Sequence, residues 1–139
     1  MLLLKYVSEY RRRNFIQTAF GRYIAPAVLR DILKSPEKLR LGGERRYMTV
    51  LFSDIEGFTT LSDRLPPEEV STLLNEYLTS MTGCVTAAAG TLDKFIGDAV
   101  MAVWNAPEEQ EDHAGRACDC AILMLTELSR LREEWGEQG

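Results

Sequence analysis

The spacing of apolar positions changes several times along the chain, and each spacing predicts an element. From Tyr47, "YMTVLFSD" is nearly unbroken in apolar, β-branched and aromatic residues, the pattern of a strand buried on both faces. Next, "PPEEVSTLLNEYLTSMTGCV" sets Val70, Leu73, Leu74, Tyr77, Leu78 and Met81 on one helical face, with Pro67 and acidic residues in its first turn. "GTLDKFIGDAVMAVW" gives two short apolar runs around Gly97-Asp98, which predicts a hairpin. From about Glu108 to Trp135, Ala114, Ala117, Ala121, Leu125, Leu128 and Leu131 recur near helical spacing, predicting a second long helix. Upstream, residues 6 to 34 read as helix in two pieces, restarting at Pro26, where a missing N–H does no harm. "SPEKLRLGGERR" reads as a connector in which Gly42-Gly43 permits a reversal.

The predicted order is therefore a helical arm over residues 1–43, then a main domain over 44–139 built as strand, helix, hairpin, helix. That is an α+β arrangement. Three strands and two long helices leave part of the sheet and an edge uncovered, so the fold reads as incomplete, with later strands missing.

Composition sharpens this picture only in places. With 139 residues, 45% hydrophobic and 27% charged, the chain has the make-up of one globular domain. No apolar run approaches the ~20 residues of a membrane helix. The opening "MLLLKYVSEYRRRNF" is too short in apolar residues for a signal peptide, but its basic cluster fits the cytoplasmic flank of a membrane or sensor region upstream. Residues 1–46 hold eleven Lys/Arg against four Asp/Glu, net +7, whereas residues 47–139 hold five against seventeen, net −12. The basic residues lack interleaved stacking aromatics, so nucleic acid is not expected as a partner. Cys84, Cys118 and Cys120 are an odd set in an apolar helical pattern, which points to reduced thiols in a cytoplasmic protein. Cys118-Asp-Cys120 lacks metal-pair spacing and reads as structural. His113, the one histidine, reads as solvent-exposed at a helix start.

Candidate chemistry centres on two aspartates. Asp54 ends the first strand and Asp98 sits in the hairpin turn, so pairing of hairpin and strand brings both carboxylates to one end of the sheet. After Asp54, Ile55-Glu56-Gly57-Phe58-Thr59 combines a glycine with a helix start, whose N–H groups suit phosphate oxygens. The bland reading is that strands simply end in turn residues.

"FSDIEGFT" together with "DKFIGDAVMAVW" resembles the paired metal motifs of the class III nucleotidyl cyclases, and the similarity runs from about Phe20 to Leu131. The resemblance implies a ferredoxin-like cyclase catalytic fold. It implies that Asp54 and Asp98 are the catalytic, metal-binding residues, holding two Mg²⁺ or Mn²⁺ ions with the Ile55 carbonyl as a further ligand. By the same resemblance the backbone of Glu56, Gly57, Phe58 and Thr59 cradles the β- and γ-phosphates, and Lys94 selects the base. Lysine there goes with adenine, so ATP is the expected substrate and cyclic AMP and pyrophosphate the products. Phe58 and Phe95 read as core.

Family members form head-to-tail dimers and carry an Asn-x-x-x-Arg pair beyond the last helix read here. Asn14, Asn75 and Asn105 are followed four residues later by Thr18, Thr79 and Glu109, so the pair is absent from these residues. The expectation is a homodimeric adenylyl cyclase as parent, with this chain alone inactive or nearly so and prone to non-native pairing or segment exchange through its sheet edge. The alternative is a non-catalytic regulatory or dimerisation module that keeps the fold. A diguanylate cyclase is disfavoured, since "FIGDA" stands where a "GGDEF"-like turn is needed. The arm resembles the signal-transmitting helices that precede cyclase domains; a surface helix on its own domain is the competing reading.

Overall fold

The computed structural model describes residues 26–34, 43 and 45–138. The chain divides into two compact units, Met1–Arg46 and Tyr47–Gly139. In the first, α1 runs over Pro26–Lys34, starting at the proline. The remainder of the predicted arm, and the connector up to Gly42, lie outside the described residues.

The second unit contains β1 (Thr49–Ser53), α2 (Phe58–Ser62), α3 (Pro67–Ala87), β2 (Thr91–Ile96), β3 (Ala99–Trp104) and α4 (His113–Gln138). Its strands form one antiparallel sheet in the order β1-β3-β2. β3 is central because its sequence alternates cleanly: Val100, Ala102 and Trp104 are fully buried toward α3 and α4, while Ala99, Met101 and Val103 point to the other face. The Trp104 indole satisfies its N–H by donating to Ala88 O at 2.9 Å.

β1 differs from expectation. It alternates instead of being buried on both faces: Leu51 packs against the core, but Val50 and Phe52 are 43% and 63% exposed. The physical reason is that both long helices lie on one side of the sheet, and the described residues of this unit put nothing over the other.

α3 uses the face its spacing predicts, with Tyr77 and Met81 buried and Cys84 and Val85 continuing the stripe. α4 does not. Its inward stripe is Ala117, Cys120, Met124, Leu128 and Leu131, and Leu125 is 68% exposed. The predicted and observed stripes part at neighbouring positions, about 100° around the helix, and both keep helical spacing. Cys120 and Met124 fill the core better than Ala121 and solvent-facing Leu125. Cys84 and Cys120 are buried thiols, but Cys118 is exposed, contrary to a core role for all three.

His113 also departs from the exposed reading. It is half-buried, its Nδ1 lies 2.7 Å from Thr49 Oγ1, and its ring meets Tyr47 edge-on at 5.5 Å between centroids. These contacts tie the start of β1 to the start of α4, at the end of the sheet opposite the aspartates.

Candidate active site

Antiparallel pairing of β1 with β3 sets Ser53 across from Val100. Asp54, just past the end of β1, and Asp98, just before β3, are thus brought to the same end of the sheet. The link is direct: Ile55 N–H donates to Asp98 Oδ2 at 2.9 Å. Asp98 is half-buried and Asp54 exposed. Asp98 holds the second position of a two-residue hairpin turn in which Gly97 has φ +64°.

The chain after Asp54 turns sharply. Phe58 N–H donates to Ile55 O at 3.2 Å, and Gly57 has φ 72° and ψ 17°. That left-handed geometry at the third residue is what a type II turn demands, and only glycine adopts it without cost. Gly57 then caps α2, its carbonyl accepting from Leu61 N–H at 3.0 Å. Of the four expected phosphate donors, the Phe58 amide is therefore already engaged in the turn. The amides of Glu56, Gly57 and Thr59 make no hydrogen bond among the described residues.

Asp54, Asp98 and the Ile55 carbonyl are hard oxygen donors, the set that suits Mg²⁺ or Mn²⁺. Ile55 O keeps a second lone pair beyond its bond to Phe58. No group of three or more His, Cys, Asp or Glu side chains gathers to hold a metal among the described residues. Two carboxylates and one carbonyl leave coordination positions open, and magnesium sites of this kind fill them with water and substrate phosphate. The residues present fit such ions.

Lys94 lies on edge strand β2 with its side chain 59% exposed, 3.4 Å from the Asp93 carboxylate. Its placement depends on a feature the sequence reading missed. Leu92 pairs with Ala102 and Lys94 with Met101, so Asp93 is an extra residue in a β-bulge. Simple alternation from Leu92 would turn Lys94 toward the helices; the bulge turns it to the open face beside Met101. The signal was available: Leu92 and Phe95, both on the core face, stand three apart where a regular strand needs two. Phe58 is half-buried, but Phe95 is 45% exposed, since β2 has no outer neighbour among the described residues.

Tyr77 of α3 is buried, 4% exposed. Burial raises its phenol pKa, the Ser53 side chain opposes that rise, and the Asp98 and Asp54 carboxylates add to it.

The fold thus brings two aspartates to one end of an antiparallel sheet, with a glycine turn directly after the first. The model of the adenylate and guanylate cyclase catalytic domain matches residues 43–138, and the chain belongs to this family of class III nucleotidyl cyclases. Adenylate cyclase 1 of Rhizobium meliloti (strain 1021) is 40% identical over 121 residues, which cover 85% of this chain and 18% of that relative. The crystal structure of the adenylyl cyclase CyaB from P. aeruginosa is 41% identical with a TM-score of 0.65, covering 66% of this chain and 48% of that one. The guanylyl cyclase Cya2 is 40% identical with a TM-score of 0.65, covering 68% and 48%. The chain thus spans under a fifth of that curated relative and about half of each solved domain.

Proposed function

We propose that this chain is the metal- and phosphate-binding part of an adenylyl cyclase that converts ATP to 3′,5′-cyclic AMP and pyrophosphate. The observation that carries the reading is the joining of Asp54 and Asp98 through the Ile55 amide, directly beside the Gly57 turn. Two bound Mg²⁺ or Mn²⁺ ions would supply Lewis acidity at the ribose 3′-hydroxyl and neutralise charge on the triphosphate as its oxygen attacks the α-phosphorus. The chain's own residues do the positioning. Asp54, Asp98 and Ile55 O offer the oxygen ligands, and the amides of Glu56, Gly57 and Thr59 donate to the β- and γ-phosphates. Lys94 donates to the adenine N1 acceptor.

Adenine as the base rests on Lys94 alone, because this chain is equally similar to an adenylyl and a guanylyl cyclase. A head-to-tail homodimer is supported by the open sheet face of Val50, Phe52 and Ile96, a large apolar surface that a second domain would cover. The sheet edges, unpaired among the described residues, support strand pairing or segment exchange as the form self-association takes in this chain. The division of the chain after Arg46, next to the expected boundary at residue 43, supports an upstream signal-transmitting arm. Free thiols and the basic amino-terminal cluster support a cytoplasmic protein, attached to a membrane through a preceding region. Without Asn-x-x-x-Arg these residues lack the group that stabilises charge developing on the phosphates, so the chain alone turns over little or no ATP.

The test is cyclic AMP formation from ATP with Mn²⁺, comparing this chain, its Asp54→Ala variant and a version extended to the end of its reading frame. Activity confined to the extended chain and lost with Asp54→Ala supports the reading. An extended chain that binds ATP without turning it over makes the protein a non-catalytic regulatory module.

A further inference from the structure

β1 lies on the sheet against its own apolar pattern. Thr49, Leu51 and Ser53 stand opposite fully buried Trp104, Ala102 and Val100 and so face the helices. Met48, Val50 and Phe52, the more apolar set, are exposed. The arrangement is unfavourable inside as well: Ser53 Oγ is shut off from solvent with no hydrogen-bond partner among the described residues. A slip of one residue would set Met48, Val50 and Phe52 opposite Trp104, Ala102 and Val100, because every side chain of a strand changes face with such a step. It would also bring Asp54 level with Asp98, where the observed register continues to Ile55, and break the bond from the Ile55 amide. Room opposes the slip, since Phe52 would stand where small Ser53 stands now. The apolar pattern favours it, so groups outside the strand have to help hold the register.

Such groups stand at the other end of β1. Beyond Trp104 the backbone of β3 leaves the ladder at Asn105, whose φ of 68° is left-handed, a region asparagine tolerates. From there its side chain reaches the start of β1: Asn105 Nδ2 donates to Tyr47 O at 2.8 Å. A reciprocal pair fixes this amide in turn. Asn105 N–H donates to Gln110 Oε1 at 3.0 Å, and Gln110 N–H donates to Asn105 Oδ1. Gln110 Nε2 donates to Ala89 O at 2.8 Å, just past the end of α3. Nearby, His113 Nδ1 of α4 lies 2.7 Å from Thr49 Oγ1, which the slip would turn to the opposite face.

We propose that Asn105, backed by Gln110, is a positioning residue that locks the register of β1 from the end of the strand opposite Asp54. The bond to Tyr47 O is compatible with one register, because a one-residue slip carries Tyr47 about 3.4 Å along the strand. The lock thus sets which residue of the Asp54 loop meets Asp98. Its consequence for ligands rests on the reading of Asp54 and Asp98 as metal carboxylates.

The test uses the 139-residue chain with Asn105→Asp, which keeps the oxygen that accepts from Gln110 but puts an oxygen in place of the donor to Tyr47. Cross-strand nuclear Overhauser contacts read the register, and amide hydrogen exchange is followed at Ile55, with buried Met81 of α3 as control. Expected are contacts of Val50 with Ala102 beside those of Leu51 with Ala102. Exchange at Ile55 should be roughly fivefold faster, the factor for losing one ordinary hydrogen bond, with Met81 unchanged. Adding Phe52→Ser removes what the slip would bury and should restore a single register and wild-type exchange, a rescue that a merely structural role of Asn105 would not show. Mn²⁺ affinity, followed by the electron paramagnetic resonance of free ion, should fall in the single variant and return in the double one. Should Asn105→Asp not fold, Gln110→Glu, which keeps the acceptor for Asn105 N–H and loses the donor to Ala89, is read in the same way. The proposal is overturned if the variant pairs and exchanges as the wild type does, if Ile55 and Met81 accelerate together, or if Phe52→Ser brings no rescue. A wild-type chain that binds no Mn²⁺ overturns the metal reading instead, and the register and exchange then decide the lock.

Discussion

Ile55 N–H and Asp98 Oδ2 meet at 2.9 Å across 43 residues of chain, so each aspartate's loop is fastened to the other's. The bond makes two consequences of changing Asp98 separable. Asp98→Ala leaves the Ile55 amide without its acceptor and should cost about 1–2 kcal/mol in a urea melt. Asp98→Asn keeps an acceptor oxygen and should cost less than about 0.5 kcal/mol. Both remove a carboxylate, so both should abolish Mn²⁺-dependent turnover in the extended protein. Equal stability losses in the two variants would show that the bond does not hold the loops together.

Gly90 marks how tightly the α3–β2 corner packs. A Cβ built there would lie 2.6 Å and 2.7 Å from the Trp104 ring and 3.0 Å from Val85 Cγ1, both fully buried side chains. Gly90→Ala should therefore destabilise the chain by about 1–3 kcal/mol. Tryptophan emission should shift as well, because Trp104 has to move from its bond to Ala88 O. An unchanged urea midpoint would mean that the corner relaxes freely.

How far this was legible in the sequence depends on whether a feature is local. The α3 face and the hairpin at Gly97-Asp98 follow from spacing and turn chemistry, and both are present. The meeting of the two aspartate loops followed from one assumption, that the hairpin pairs with β1. β1 was misread because continuous apolar character does not say which face another element covers. In α4, two stripes with the same period compete, and only the volumes of Cys120 and Met124 against the sheet choose between them. His113 was misread because its partner, Thr49, stands 64 residues away.

The buried thiols give the fold an alkaline limit. Burial pushes the Cys120 thiol from 9.0 up to about 11, with nearby Cys84 adding to the rise. Cys84 and Tyr77 are raised in the same direction, again chiefly by burial. In each case the folded state holds its proton more tightly than the unfolded chain does. The stabilisation is thus fully present below pH 9 and is lost as pH rises toward 11. Cys120 alone should account for on the order of 2 kcal/mol of that loss. Cys120→Ala should flatten the decline in urea-melt stability over this window, whatever it costs at pH 7. A slope identical to that of the wild type would remove Cys120 as its source.

Lys94 offers the sharpest separation of specificity from stability. Its side chain is 59% exposed and its close partner among the described residues is the neighbouring Asp93, so the fold gains little from it. Lys94→Glu should leave the urea midpoint within about 0.5 kcal/mol of the wild type. In the extended protein it exchanges a donor for an acceptor at the position proposed to read adenine N1. Discrimination built on one hydrogen bond to a base is worth orders of magnitude when the wrong partner leaves polar groups unpaired. The expected result is a fall in kcat/KM for ATP of at least about tenfold, with the GTP-to-ATP ratio rising. The Asp93 bulge adds a second condition. Because Asp93 is the extra residue of the bulge, its deletion sets Lys94 directly after Leu92 in regular alternation, still on the open face opposite Met101. A folded deletion variant should therefore keep its preference for ATP, whereas inserting one residue between Asp93 and Lys94 should damage it. If the insertion variant is folded and keeps wild-type kcat/KM for ATP, the open face is not where the base is read.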